Sequence, residues 1–74
     1  MPEMQMVKSA LIAAIGYDAR RRQLHVQFHG IGLYIYQDVA PELFRDLVDA
    51  PSKGTFFNDR IKGRFDFIPP GSDS

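Results

Sequence analysis

Two groups of residues in this chain have types and spacings that can do chemistry. The first is Tyr34 and Tyr36, two apart in an apolar segment. Aromatic side chains on one sheet face can stack unpaired bases, each worth ~1–3 kcal/mol. The commoner use of such tyrosines in a small domain is burial, with their hydroxyls bonded at a sheet edge or to a helix. The second group is Ser52, Lys53, Gly54, Asn58 and Lys62. A glycine loop ahead of a helix presents backbone N–H groups, and the helix dipole favours an anion there. Asn58 and Lys62 are four apart and share a helix face, so the set can hold a phosphate. Each member also has a local use: Ser52 as a cap, Gly54 as a turn, Asn58 bonding nearby backbone. A third feature is the basic run Arg20-Arg21-Arg22. It can meet a phosphate backbone, a contact that weakens steeply with salt, although a solvated turn is the commoner origin of such a run.

Catalytic and metal-binding arrangements are poorly represented. The chain has two histidines, His25 and His29, and no cysteine. In a strand they lie ~13 Å apart along the chain, whereas two nitrogens on one zinc lie within ~4 Å. No metal site is therefore expected, and the two read as a wet strand face or as pH-sensitive surface charge. Ser9, Ser52 and Thr55 supply hydroxyls, but no histidine shares a segment with any of them. Gly30-Ile31-Gly32 is too short for a phosphate fingerprint and leads into no helix. Asp38, Glu42, Asp46 and Asp49 read as an acidic, exposed helix face. No enzyme and no cofactor are expected; the chain reads as a binding module.

Composition narrows the class further. Seventy-four residues make a single domain, with an ordered core at about 7–68 and tails at 1–6 and 69–74. A chain this short buries only about 60% of the surface its unfolded form exposes. Without disulfides, its stability must come from a good core, a second copy of the chain, or both. Hydrophobic residues make up 45%, with six Phe and three Tyr. Nine basic and nine acidic residues give zero formal charge, which argues against a strong global field for nucleic acid. The basic residues are nevertheless grouped, at Arg20–Arg22 and again at Lys53, Arg60, Lys62 and Arg64. No apolar run approaches the ~18 residues of a membrane span, and no leader is visible at the N-terminus, so a cytoplasmic protein without membrane contact is expected.

The elements that must position these residues follow from periodicity. Gln23–His29 is the clearest: Leu24, Val26 and Phe28 alternate with polar neighbours, so one face is buried and the other wet. Ser9–Tyr17 pairs with it as a strand, across a turn at Asp18–Arg22 that Asp18 opens. Leu33–Gln37 resumes after the glycines, with Tyr34 and Tyr36 on one face and Leu33 and Ile35 on the other. Asp38 is placed to cap a helix with Pro41 in its first turn, running to about Ala50 before Pro51. A second helix spans about Thr55–Lys62 and stops at Gly63. Arg64–Ile68 alternates again, as an optional short fourth strand. The expected fold is α+β: a three-stranded antiparallel sheet followed by two short C-terminal helices that cover its apolar face.

Taken together, Gly16-Tyr17-Asp18, Leu24-x-Val26-x-Phe28, Tyr34-x-Tyr36-x-x-Val39 and Ala50-x-Ser52-x-Gly54-x-Phe56-Phe57-Asn58-x-x-Ile61-Lys62 resemble the KTSC domain. That family takes its name from the C-terminus of some lysyl-tRNA synthetases and also occurs as stand-alone small bacterial proteins. The resemblance runs from about Val7 to Phe65. One departure is Ala40, which separates Val39 from a proline that the family places directly after the valine. The resemblance implies no established activity. Its synthetase association points toward RNA, transfer RNA or single-stranded, as the partner. The expected contacts are Arg20, Arg21, Arg22, Lys53, Lys62 and Asn58. The alternative is a protein-interaction or homodimerisation module that uses Leu33 and Ile35 on the exposed sheet face.

Overall fold

A computed structural model describes residues 2–71. Among these residues the chain forms one five-stranded antiparallel sheet and two helices. In chain order the elements are β1 (Gln5–Met6), β2 (Ile12–Asp18), β3 (Gln23–Phe28), β4 (Gly32–Tyr36), α1 (Pro41–Asp49), α2 (Lys53–Arg60) and β5 (Phe67–Ile68). Spatial order equals chain order, β1-β2-β3-β4-β5. The expected three-strand sheet is therefore its middle. Two strands of two residues each complete it. One lies within the segment read as an N-terminal tail, and the other occupies only the last part of Arg64–Ile68. Runs of two residues are too short for a period to register.

The core follows from the register. Leu24 faces Tyr17 and Tyr36 across the sheet, and Val26 faces Ile15 and Tyr34. These residues share the face that the helices cover. An irregularity in β2 between Ile12 and Ala14 inserts one residue, so Ile12 pairs with Phe28 while Ile15 pairs with Val26. The bulge is what turns both isoleucines inward although they are three apart; both are fully buried, as are Leu24 and Val26.

Each helix is defined by its ends. Pro41 opens α1 and Glu42 sits in its first turn, where proline costs no hydrogen bond and a negative charge meets the dipole. The N-cap is Ala40, with no side-chain bond. Asp38 does not cap; it sits in the left-handed region at φ 57° and turns the chain. Leu47 is fully buried beneath α1, with Leu43, Phe44 and Val48 half-buried around it. Ser52 caps α2: its hydroxyl accepts from the Thr55 N–H at 3.3 Å and donates to Thr55 Oγ1 at 3.0 Å. With that cap the helix begins at Lys53, two residues before Thr55. Phe57 and Ile61 carry α2 onto the core.

The segments after Ile68 and before β1 are folded back. A Cβ on Gly32 would lie 2.8 Å from Pro70 Cβ, so the proline lies directly against the turn into β4. The rest of the expected C-terminal tail, 72–74, lies outside the described residues.

Leu47→Ala should cost ~2–5 kcal/mol of stability, since it opens a cavity at a site with no exposure. Ser52→Ala should cost ~1 kcal/mol, the value of one N-cap. Urea denaturation of the two variants checks both magnitudes and their order.

Candidate functional site

The helices sit off-centre on the sheet. The fully buried strand residues all belong to β2 and β3. The β4–β5 side of the same face is left partly open, as an aromatic groove of about 450 Å³. Phe28, Tyr34, Tyr36, Phe57 and Phe67 form its walls, with Asn58 and Lys62 beside them. The rings support one another. Tyr34 and Tyr36 stack at 6.3 Å and 17°. Phe28 meets Tyr34 and Phe57 edge-on at 5.3 and 5.1 Å. Phe67 leans on Tyr34 at 5.4 Å and on Tyr36 at 5.7 Å. Such contacts hold each ring's orientation beyond what burial gives. Ile31 and Phe67, two of the exposed large hydrophobic residues, both stand on this groove, at 58% and 50% exposure.

The candidate residues fall into three places. Tyr34, Tyr36, Asn58 and Lys62 share the groove. The tyrosines divide the two uses between them: Tyr36 is core at 5% exposure, whereas Tyr34 is half-buried. Ser52, Lys53 and Gly54 have internal partners. Ser52 is the cap, the Lys53 ammonium donates to the Ala50 carbonyl at 2.8 Å, and Gly54 lies against Ser9 and Leu11. Arg20, Arg21 and Arg22 occupy the β2–β3 turn, which Asp18 holds by accepting from the N–H groups of Arg20 and Arg21. That turn adjoins Gln23, at the opposite end of β3 from Phe28. The second basic group is dispersed too. Arg60 lies over the Phe56 ring at 5.5 Å, and Arg64 lines a separate depression with Asp38 and Asp66.

Leu33 and Ile35 point to the outer face of the sheet, joined by Ile68 opposite Ile35. His25 stands on that face between Gly16 and Ile35. The expectation of a wet histidine fails here: His25 is 4% exposed, and neither ring nitrogen has a hydrogen-bond partner. Burial holds its pKa below the ordinary histidine value, with Asp18 pulling the other way. His29 bonds instead to the Ser9 carbonyl through Nε2, at 3.0 Å.

The sequence reading missed Phe67, Ile31, Phe28 and Phe57 as groove walls. A signal existed for Phe67 and Ile68: a closing strand with apolar side chains on both faces has one that the core does not need.

A family model for the KTSC domain matches residues 8–65. The chain belongs to the KTSC domain family. A KTSC domain protein of Yersinia pestis, solved by crystallography, superimposes with a TM-score of 0.92 at 38% identity, over 96% of this chain and all of that one. A protein of Tsukamurella paurometabola is 45% identical over 62 residues, covering 84% of this chain and 92% of its own length. A lysine–tRNA ligase of Nostoc punctiforme is 37% identical over 60 residues; the match takes in 81% of this chain but 11% of the ligase. The KTSC domain is small, and no catalytic role is known for it. Among the described residues, no three His, Asp or Glu side chains gather as metal ligands, and no helix is long and apolar enough to cross a membrane. The family match ends before Phe67, so one wall of the groove comes from beyond the matched segment.

Burial, and after it the neighbouring Tyr34, push the Tyr36 phenol up to about 12. The folded chain thus keeps Tyr36 protonated where the unfolded chain would release the proton. This contribution is complete below pH 10 and is lost as pH rises from 10 toward 12, by roughly 2–3 kcal/mol in all. Thermal melts across that range should show Tyr36→Phe less alkali-sensitive than the parent chain.

Proposed function

We propose that this KTSC domain is a non-catalytic binding module that takes single-stranded RNA at the aromatic groove. The observation that carries the reading is the groove itself: stacked tyrosines and a half-exposed Phe67, with one amide and one ammonium beside them. An unpaired base stacks on an aromatic ring with little regard to sequence. Tyr34 and Phe67 offer ring surface, Asn58 can bond a base edge, and Lys62 can meet the adjoining phosphate. The relation to part of a lysine–tRNA ligase supports an RNA of the transfer class. The turn Arg20–Arg22 then serves as a second phosphate contact at the far end of β3. Lys53 and Ser52 are engaged internally, with Ala50 and Thr55, and stand outside the contact set.

A second reading is self-association through the outer face, supported by Ile68 extending the apolar pair Leu33 and Ile35. Light scattering over a concentration series distinguishes it, since a monomer throughout removes it.

The experiment for the first reading is a titration with short single-stranded RNA and with transfer RNA, each at two salt concentrations. Phe67→Ala and Tyr34→Ala should each weaken binding by ~1–3 kcal/mol. Lys62→Gln should lower the salt slope by ~0.7, the value of one single-strand phosphate contact. Binding indifferent to salt, or a Phe67→Ala variant that binds like the parent, removes the reading.

A further inference from the structure

A buried histidine with two unpartnered ring nitrogens is costly, because each polar atom forfeits its bonds to water without replacement. A neutral imidazole bears that cost far better than a charged one. His25 is in this state on the outer face of the sheet, not in the core between sheet and helices. Something must cover it there. The strand neighbours directly beside it are Gly16, which has no side chain, and Ile35.

Gly16 marks what passes overhead. A Cβ built on it would lie 2.6 Å from Met4 Sδ and 2.8 Å from the Glu3 carbonyl oxygen. The Cβ of a residue paired with His25 points to the outer face. Residues Glu3 and Met4 therefore leave the β1–β2 ladder and cross that face at the position paired with His25. The missing side chain is what gives the strap its path, since any larger residue at 16 would fill it.

We infer that Glu3–Met4 is a latch over His25, closed while the imidazole is neutral and released when it is protonated. An imidazolium beneath the strap would be a buried charge with both N–H groups unpaired. Opening the strap gives those groups water and leaves the rest of the fold intact. The titratable groups around the ring do not offset this. β2 contributes Asp18, which favours the charged form but is outweighed by burial, and whose carboxylate already accepts two backbone bonds in the turn. The strap contributes Glu3, which is exposed. The outer-face neighbours on β3, β4 and β5, namely Gln23, Gln27, Leu33, Ile35 and Ile68, carry no charge. The closed state is thus fully favoured above the ordinary histidine value of 6.5 and weakens as pH falls below it.

The test is an NMR titration that follows the His25 ring and the Met4 methyl group. It compares the full chain with a chain lacking residues 2–4 and with Gly16→Ala, whose added methyl collides with the strap at an extended backbone position alanine adopts freely. Circular dichroism confirms that each is folded. In the full chain, His25 should titrate below 6.5, and the Met4 methyl should shift toward its solvent-exposed position over the same pH range. In both altered chains the His25 midpoint should move up, toward 6.5. In His25→Leu the Met4 methyl should lose its pH dependence while the strap stays closed. An equal His25 midpoint with and without the strap overturns the latch. So does a Met4 methyl that ignores the titration of His25, or one that keeps its pH dependence in His25→Leu.

Discussion

Strand β3 is the middle of five strands, and both of its faces have to be kept from water by a chain of 74 residues. One face is simple. Leu24, Val26 and Phe28 meet the helices, and the alternation that places them there also sets the neighbouring strands. The other face has no layer of its own. It is sheltered by its strand neighbours and by a few N-terminal residues laid across it. Small domains close with whatever chain remains once the main core is built. Here the remainder is the strap and β1 on one side, and β5 and Pro70 on the other. Both additions are short, and both lie outside the segment that the family model spans.

That division explains what could be read from the residues. The three central strands, the two helices and the inward set on β3 were legible: a period of two marks β3 and β4 and helical spacing marks the helices, whereas the apolar run of β2 reads as a strand only because Gly16 follows Ile15 and β3 needs a partner. The Pro41 start and the stop before Pro51 were legible from backbone chemistry alone. Strand β1 was not, since two residues hold no period, while β5 was legible only as an optional strand over Arg64–Ile68 and is confined to Phe67–Ile68. His25 was misread for a related reason. Its place on the polar side of an alternating strand is correct, but exposure depends on what covers that side. The cover comes from residues about twenty positions earlier that carry no pattern. Asp38 was misread because it lies two residues before the N-cap position, Ala40, where its left-handed backbone turns the chain instead.

The candidate site was legible in part. Tyr34, Tyr36, Asn58 and Lys62 meet in one groove, although the first pair and the second were singled out for different chemistries. What joins them is the offset of the helices toward β2 and β3, a tertiary fact with no local signature. The same offset makes Tyr36 structural and leaves Tyr34 available, so a single Tyr-x-Tyr unit both closes the core and opens the groove. Ser52, Lys53 and Gly54 form the N-cap and first residues of α2, where capping and close approach account for each of them.

The two faces therefore differ in kind. The groove is an arrangement of rings that fix one another through mutual contacts, so its shape depends on the core and changes only when the core does. The outer face depends on one strap laid over Gly16 beside the neutral His25 ring, which a single proton can disturb. Local opening is cheapest where few apolar contacts are lost, and a short strap outside the main core loses few. A ligand in the groove would bind a surface that is already shaped, whereas a partner reaching the outer face at Gly16 and His25 would first have to displace the strap. Binding there would accordingly depend on pH, and binding at the groove would depend on salt. The two surfaces lie on opposite sides of the same strands, with β3 and β4 contributing alternate side chains to each.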